Sequence, residues 1–250
     1  MTLSSDINRT KLLAHLREFG KGNTDDRLLI WKSSWEDSKG KGVRIALLDG
    51  GYKWNHPVFS GIDIIAKDLT GGGSLADSTG HGSQMLSLLV GRFGLVPDAK
   101  IFLGKVLKSS SVSNVERYIT HGIYWAIKQQ VDILALPLGR TRPSRLIEAA
   151  VQSAAKDGIQ VFAAAGNLGP SQLLFPASLP GIRSVTGADM SGTILAECSQ
   201  GVGVDCIALG QVPSITAASG GALTQGSSPA TVIAAATSAL EMAAAISYSS

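Results

Sequence analysis

Residues 42–50 read Gly-Val-Arg-Ile-Ala-Leu-Leu-Asp-Gly. Apart from one arginine, the stretch between the glycines is apolar up to Asp49, and it has the length of a strand. A continuous apolar run is typical of a strand buried on both faces, as in a parallel sheet. Asp49 then falls at the carboxyl end of the strand, where open α/β sheets bind their ligands.

Similar apolar runs alternate with segments of helical spacing along the chain. The predicted strands are 101–107, 133–138 and 161–165, and the predicted helices are 81–90, 114–129 and 144–156. This alternation predicts an α/β fold, a three-layer αβα sandwich with a mainly parallel central sheet. After Ala188 the segments become shorter and richer in Gly, Ser and Thr, which favours antiparallel hairpins before a long alanine-rich helix that begins near Pro229.

The chain of 250 residues is long enough for one sizeable domain. Residues 10–19 carry leucines at amphipathic spacing and predict a short peripheral helix. We therefore interpret residues 1–40 as an N-terminal extension with a short helix, and residues 41–250 as the main domain.

Charge and cysteine content exclude some classes of partner. The 22 Lys and Arg residues nearly balance the 19 Asp and Glu residues, and no basic cluster indicates a nucleic-acid partner. No run reaches the roughly 20 apolar residues of a membrane span, so no membrane association is expected. Two cysteines, Cys198 and Cys206, are too few for a disulfide framework. We expect a cytoplasmic monomer.

Three short motifs supply a carboxylate, an imidazole and a hydroxyl in a fixed order. They are Leu48-Asp49-Gly50, Gly80-His81-Gly82-Ser83 and Gly226-Ser227-Ser228-Pro229-Ala230-Thr231. A serine hydroxyl is a weak nucleophile near neutral pH, so an imidazole must take its proton and a buried carboxylate must orient the imidazole. Ser228 also stands at a predicted helix N-terminus, which favours developing negative charge. The motifs together predict a nucleophilic hydrolase.

From about Gly40 to Ala245, the chain resembles the subtilisin-like serine protease family. The order Asp, His, Ser is that of subtilisin, the reference case for this arrangement. Further matching segments are 94–100, 105–107, Ala164-Ala165-Gly166-Asn167 and Phe175-Pro176-Ala177-Ser178.

The resemblance implies a subtilisin-like peptidase domain over residues 41–250 and a role for each motif. Asp49 orients the imidazolium, His81 is the general base and later the acid, and Ser228 attacks the scissile carbonyl to give an acyl-enzyme. Asn167 donates its side-chain amide to the oxyanion, together with the backbone N–H of Ser228.

The resemblance also implies a polypeptide or peptide substrate that pairs with backbone edges at 109–113 and 136–139. The expected substrate-binding residues are Ser111, Leu136, Leu138, Gly139, Ala165 and Gly166. The predicted pocket walls carry no charge, so an apolar or neutral residue is expected before the cleaved bond. Pro137 stands where the family usually has serine; it lacks an N–H, but its carbonyl can still accept a hydrogen bond.

No cofactor is expected and no metal-ligating residues are identified, and dependence on a structural calcium stays open. Only Arg92 and Phe93 separate Gly91 from Gly94, so the longer loop that helps bind a structural calcium in many relatives is missing. The remaining histidines, His15, His56 and His121, have neither the number nor the spacing of a metal site. This reduced form fits an intracellular or peptide-maturation protease.

Each of these residues could instead have a purely structural role. Asp49 can end a strand in a turn, His81 can be a structural histidine, Asn167 can be a turn residue, and Ser227 adjoins Ser228. Three departures from the family pattern leave open a catalytically silent fold that binds peptides. Serine replaces the usual threonine in the histidine and nucleophile motifs, Gly50 stands where threonine or serine is usual, and Val232 stands where proline is usual. Acyl transfer to an amine and nucleotide binding at Gly71-Gly72-Gly73 are further alternatives. The favoured hypothesis is a serine endopeptidase.

Overall fold

Seven parallel strands form the central sheet. The structure is a computed structural model, and it describes residues 8–91, 94–108, 114–215 and 221–248. The strands are β1 (Arg44–Asp49), β2 (Ile64–Asp68), β3 (Lys100–Lys105), β4 (Ile133–Leu136), β5 (Gln160–Ala164), β6 (Arg183–Ala188) and β7 (Cys206–Leu209). Their spatial order is β2-β3-β1-β4-β5-β6-β7. All six pairings between neighbours are parallel, as predicted.

The strand order reverses direction between β1 and β4. From β1 the chain crosses to β2 at one edge of the sheet and returns to β3, which lies between them. From β4 it proceeds in order through β5 and β6 to β7 on the other side. In open α/β sheets such a switch point leaves a crevice at the carboxyl ends of the strands. Asp49 is the last residue of β1, and Pro137 directly follows β4. The topology therefore brings both residues to the crevice.

Helices cover both faces of the sheet. They are α1 (Arg9–Glu18), α2 (His81–Leu89), α3 (Val115–Lys128), α4 (Arg145–Lys156) and α5 (Ser227–Tyr248), with 3-10 turns at Ser33–Ser38 and Pro57–Phe59. Helices α1, α2 and α5 pack into one apolar core and α3 and α4 into the other. The predicted three-layer αβα sandwich is confirmed.

The central helix α5 is the element that joins the nucleophile motif to the core. Its small and apolar side chains from Val232 to Ala236 are almost completely buried, so it packs closely against the sheet. By length and composition, the helix over residues 227–247 could cross a membrane. This contradicts the prediction that no segment of the chain is long and apolar enough for a membrane span. However, 72% of the most apolar window is buried inside the protein, as expected for a core helix.

Helix α1 buries Leu12, Leu13 and Leu16 in the first core and exposes its opposite face, as its amphipathic spacing predicts. Two other parts of the fold differ from the prediction. Strand β7 continues the parallel sheet. Within the described residues after Ala188, antiparallel pairing joins β8 (Gln211–Ile215) with β9 (Gly221–Gln225) and also forms an isolated bridge between Ala188 and Ile194. Strand β2 lies at the sheet edge, half-buried, and its mixed sequence carries no continuous apolar run.

Candidate active site

Asp49 and His81 are joined by a hydrogen bond between their side chains. His81 is the first residue of α2, and its Nδ1 lies 2.8 Å from Asp49 Oδ2 and 3.0 Å from Oδ1. The Asp49 side chain is 1% exposed, whereas that of His81 is 37% exposed. A buried carboxylate that accepts from Nδ1 leaves Nε2 as the unprotonated nitrogen of a neutral ring. The imidazole is therefore set up to take a proton on its exposed side.

Close backbone approach around this pair explains the glycine that follows His81. A Cβ at Gly82 would lie 2.2 Å from the Gly51 carbonyl oxygen and 3.2 Å from Asp49 Oδ1. Any side chain at this position would push α2 away from β1. The backbone N–H of Gly50 donates to Asp49 Oδ1 at 2.6 Å and fixes the carboxylate from the other side.

A second buried carboxylate, Asp77, holds the start of α2. Its Oδ1 accepts from the Gly80 N–H at 2.9 Å and from the Thr79 N–H and hydroxyl, both at 3.2 Å. Its Oδ2 accepts from the Ser83 N–H at 2.8 Å and from the Ser83 hydroxyl at 2.7 Å. Gly80 at the N-cap has no side chain, so Asp77 supplies the cap from three residues upstream. These hydrogen bonds fix the start of α2 and therefore the position of His81, its first residue.

The two carboxylates set the protonation behaviour of His81. Burial lowers its pKa, but the hydrogen bond to Asp49 and the negative charges of Asp49 and Asp77 outweigh burial. The pKa of His81 is therefore raised above the ordinary value of 6.5. A base of this kind accepts a proton more readily than a free imidazole does.

Ser228 lies at the start of α5, on the opposite side of the crevice. Its hydroxyl donates to the backbone carbonyl of Pro137 at 2.9 Å, and the structure shows no hydrogen bond from Ser228 to His81 within the described residues. The neighbouring Ser227 is buried, and its Oγ accepts from the Gly166 N–H at 3.2 Å. Of the two adjacent serines, Ser228 is the one with a partly exposed side chain that can turn toward a substrate.

Asn167 is held beside Ser228 by its side-chain oxygen. Its Oδ1 accepts from the Ser227 N–H at 2.9 Å and from the Cys198 thiol at 3.3 Å. With the oxygen engaged, the Nδ2 amide is left as the outward donor of an exposed side chain. Gly226 must be glycine here, because its φ is +115° and an added Cβ would lie 2.7 Å from Asn167 Nδ2. The loop before α5 thus fits closely over Asn167.

Two adjoining cavities open around these groups. The smaller, of about 290 Å³, is lined by Ser228, Asn167, Gly166 and apolar side chains that include Leu168 and Leu174. The larger, of about 990 Å³, contains Asp49 and His81 and extends to the first turn of α3. The segment that follows β4, residues 138–141, lines both cavities and joins them into one cleft.

The predicted substrate-binding residues separate into three groups. Leu138 and Gly139 line both cavities and Gly166 lines the smaller one. Leu136 and Ala165 need correction, because both are fully buried and line neither cavity. Ala165 also uses its N–H on Val185 and its carbonyl on Leu174, which leaves no backbone group for a peptide. Ser111 and the segment 109–113 lie outside the described residues.

Sequence reasoning missed two residues that support the site. Asp77 lies three residues before Gly80, at the spacing of a turn that caps a helix, and this signal could have found it. Cys198 lies outside the motifs, and nothing local in the sequence indicates its contact with Asn167. Among the described residues, no group of three or more His, Cys, Asp or Glu side chains could hold a metal ion.

Comparisons with known proteins place most of the chain in one family. The peptidase S8 model, which represents the subtilase family, matches residues 40–250. Subtilisin Savinase of Lederbergia lenta is 32% identical over 177 residues, which cover 68% of this chain and 65% of that protein. An alkaline protease of Alkalihalobacillus alcalophilus is 32% identical over 177 residues, which cover 68% of this chain and 46% of that protein. The match therefore spans between about half and two thirds of these curated relatives.

A solved structure shares the fold over most of its length. The prenylagaramide maturation protease PagA has a TM-score of 0.77 at 24% sequence identity, and the match covers 86% of this chain and 80% of that one. Likeness at this identity concerns the fold. The match to the family over residues 40–250 decides the assignment. The chain belongs to the subtilase family.

Proposed function

We propose that the protein is a serine endopeptidase that hydrolyses peptide bonds through Asp49, His81 and Ser228. The observation that carries the proposal is the Asp49–His81 pair, whose Nδ1–Oδ2 distance is 2.8 Å, facing the same cleft as Ser228. A carboxylate, an oriented imidazole and a hydroxyl at a helix N-terminus are the parts that acyl transfer needs.

The proposed reaction follows from these parts. When a peptide enters, the Ser228 hydroxyl leaves the Pro137 carbonyl, gives its proton to His81 Nε2 and attacks the scissile carbonyl carbon. Asn167 Nδ2 and the Ser228 backbone N–H donate to the resulting oxyanion. His81 then protonates the leaving amine, which departs and leaves an acyl-enzyme. Water, deprotonated by His81, releases the acyl group and restores Ser228.

A dedicated processing role in the cytoplasm is the finer part of the proposal. Both cysteines are free thiols, which suits a reducing compartment. The fold-level likeness to a protein named as a maturation protease motivates a peptide precursor as the substrate. Incubation with candidate precursor peptides, followed by mass spectrometry of the fragments, tests this role. One dominant cut in a precursor supports it, whereas many cuts in unfolded proteins of any sequence contradict it.

A catalytically silent peptide-binding protein is the second candidate function. It is favoured by one observation, the hydrogen bond that Ser228 makes to Pro137 instead of to His81. If this bond persists with substrate present, the nucleophile stays out of reach of its base. In hydrolases without substrate, however, catalytic hydrogen bonds are often long or incomplete and form in the substrate complex.

Labelling with a fluorophosphonate, followed by intact-mass analysis, separates the two functions. We expect one adduct per chain on the wild type and on Ser227→Ala, and none on Ser228→Ala. The Ser227→Ala protein is the matched control, because it removes the adjacent hydroxyl and keeps the proposed nucleophile. Absence of an adduct on a protein that unfolds cooperatively would favour the silent binding protein. An adduct on Ser227 would overturn the assignment of Ser228.

A further inference from the structure

The larger cavity carries more positive than negative side chains. Its charged lining residues are Lys108, Arg117, Arg140 and Arg142 on the positive side and Asp49 and Glu116 on the negative side. The chain as a whole is nearly balanced, with a net charge of +3 over 250 residues. The positive charge is thus concentrated at the cleft that also contains the Asp49–His81 pair.

Both carboxylates of the cavity are already engaged. Asp49 accepts from His81, and Glu116 lies 3.6 Å from an Arg140 guanidinium nitrogen. Three cations remain, and within the described residues none of them has an acidic partner. Arg117 and Arg142 are exposed, and Lys108 is half-buried with its Nζ 5.8 Å from the centre of the Tyr118 ring. These cations are available to a ligand in the cleft.

The N-terminus of α3 adds to the positive electrostatic potential of the cleft. Its first turn, residues 114–117, lines the cavity, and Asn114 at the N-cap makes no side-chain capping hydrogen bond. The N-terminus of a helix carries partial positive charge and unpaired N–H groups. A cleft with walls of one sign concentrates ligands of the opposite sign.

The smaller cavity, beside Ser228, is different. Among the residues that line it, Arg140 is the charged one, and Arg140 is paired with Glu116. The remaining lining is apolar or neutral, which suits a neutral side chain beside the cleaved bond. Any selection by charge must therefore act on residues of the substrate that lie farther along the cleft.

We infer that the cleft selects peptides with acidic side chains within a few residues of the cleaved bond, bound by Lys108, Arg117 and Arg142. This inference rests on the proposed function and adds the substrate class. The carboxylates of such a peptide pair with these three cations, which have no acidic partner among the described residues. Each contact at a partly exposed site adds a modest gain, and three contacts in one cleft add up to clear selectivity.

A positional set of peptides tests the inference. In one parent peptide that the enzyme cleaves, each of the four positions on either side of the bond is set in turn to Glu, Gln or Lys. We expect about tenfold higher kcat/KM for Glu than for Gln at one or more positions, and the lowest values for Lys. The preference should shrink with added salt, since the Debye length falls from about 10 Å at 0.1 M to about 3 Å at 1 M.

Charge variants identify the residues responsible. The double change Arg117→Gln with Arg142→Gln should reduce the Glu-to-Gln ratio to below about twofold, whereas Arg117→Lys with Arg142→Lys should retain most of it. Lys128→Gln is the matched control, because Lys128 is an exposed cation at the opposite end of α3. It should leave the ratio and the rate unchanged. Fluorophosphonate labelling of Ser228 checks that each variant is folded.

Binding to Ser228→Ala separates this inference from the proposed function. Fluorescence anisotropy of labelled Glu and Gln peptides measures selectivity without hydrolysis. Tighter binding of the Glu peptide supports the inference even if the wild type cleaves nothing, in which case the proposed function fails alone. Equal affinities for the Glu and Gln peptides, or a ratio that the double variant does not change, would overturn the inference.

Discussion

The two halves of the site differ in how completely their hydrogen bonds are formed. In the base half, which holds the proposed base His81, Asp49 and Asp77 are buried, and every carboxylate oxygen accepts at least one hydrogen bond. In the nucleophile half, which holds the proposed nucleophile, the Ser228 hydroxyl donates to a backbone carbonyl, and the Asn167 side chain is exposed. In the proposed mechanism the first half is built in advance, whereas a substrate completes the second.

The difference has a physical origin. The base half must keep a carboxylate charged inside the protein, and a buried charge without partners would be strongly unfavourable. The nucleophile half carries neutral groups that tolerate exposure and rotation about single bonds. Substitutions in the base half should therefore change the pKa of His81 and the stability of the fold as well as the rate of cleavage. Substitutions in the nucleophile half should change mainly the rate of cleavage.

The largest effect is expected for Asp49→Asn, which alters the base half directly. An amide in place of the carboxylate favours the wrong tautomer of His81, and kcat should fall by about 10⁴, the loss seen for the same change in a related triad. Initial rates of peptide cleavage at saturating substrate concentration measure kcat. Asp157→Asn, at an exposed aspartate after α4, should leave kcat unchanged. A loss below tenfold for Asp49→Asn would show that Asp49 only ends the strand.

Asn167→Ala tests the nucleophile half. The change removes the Nδ2 donor, and kcat should fall by about 100- to 1,000-fold, the range set by the corresponding donor of subtilisin. Because the donor acts on the oxyanion and not on the bound substrate, KM should change by less than about threefold. An increase in KM with unchanged kcat would instead place Asn167 among residues that only bind the substrate.

The proposed catalytic residues have the clearest signals in the sequence. Asp49, His81 and Ser228 stand in motifs whose residue types are required by the reaction, and the apolar run before Asp49 fixes its strand. Leu136 and Ala165 were misassigned because a sequence does not show which backbone groups of an edge are already used by neighbouring loops. The cations of the cleft come from three separate segments, and only the fold brings them together.

Asp77→Asn separates protonation from rate within the base half. The raised pKa of His81 places the acidic limb of the kcat/KM profile above pH 6.5, because the protonated ring cannot act as base. Removing the charge of Asp77, which raises this pKa, should move the limb to lower pH. A pH–rate profile measures the shift, and an unmoved limb would leave Asp77 with a purely structural role.

The same variant should lower stability. An amide nitrogen would face the N–H and hydroxyl donors that Asp77 now accepts, at a cost of about 1–3 kcal/mol in the free energy of unfolding. Urea unfolding measures this cost.

His81 makes the stability depend on pH. Since its folded pKa is raised, its stabilisation is present at low pH and is lost as the pH rises through the folded value.

The smallest effect is expected for Cys198→Ala, which returns to the nucleophile half. Burial raises the pKa of the Cys198 thiol, so the thiol stays protonated and donates to Asn167 Oδ1 at 3.3 Å. Asn167 keeps its stronger bond from the Ser227 N–H, so losing the thiol should reduce kcat only about two- to fivefold. Cys206→Ala is the matched control, a second free thiol on β7 without contact to Asn167. If Cys198→Ala lowered kcat as much as Asn167→Ala does, the thiol and not the Ser227 N–H would be the contact that holds Asn167 in place.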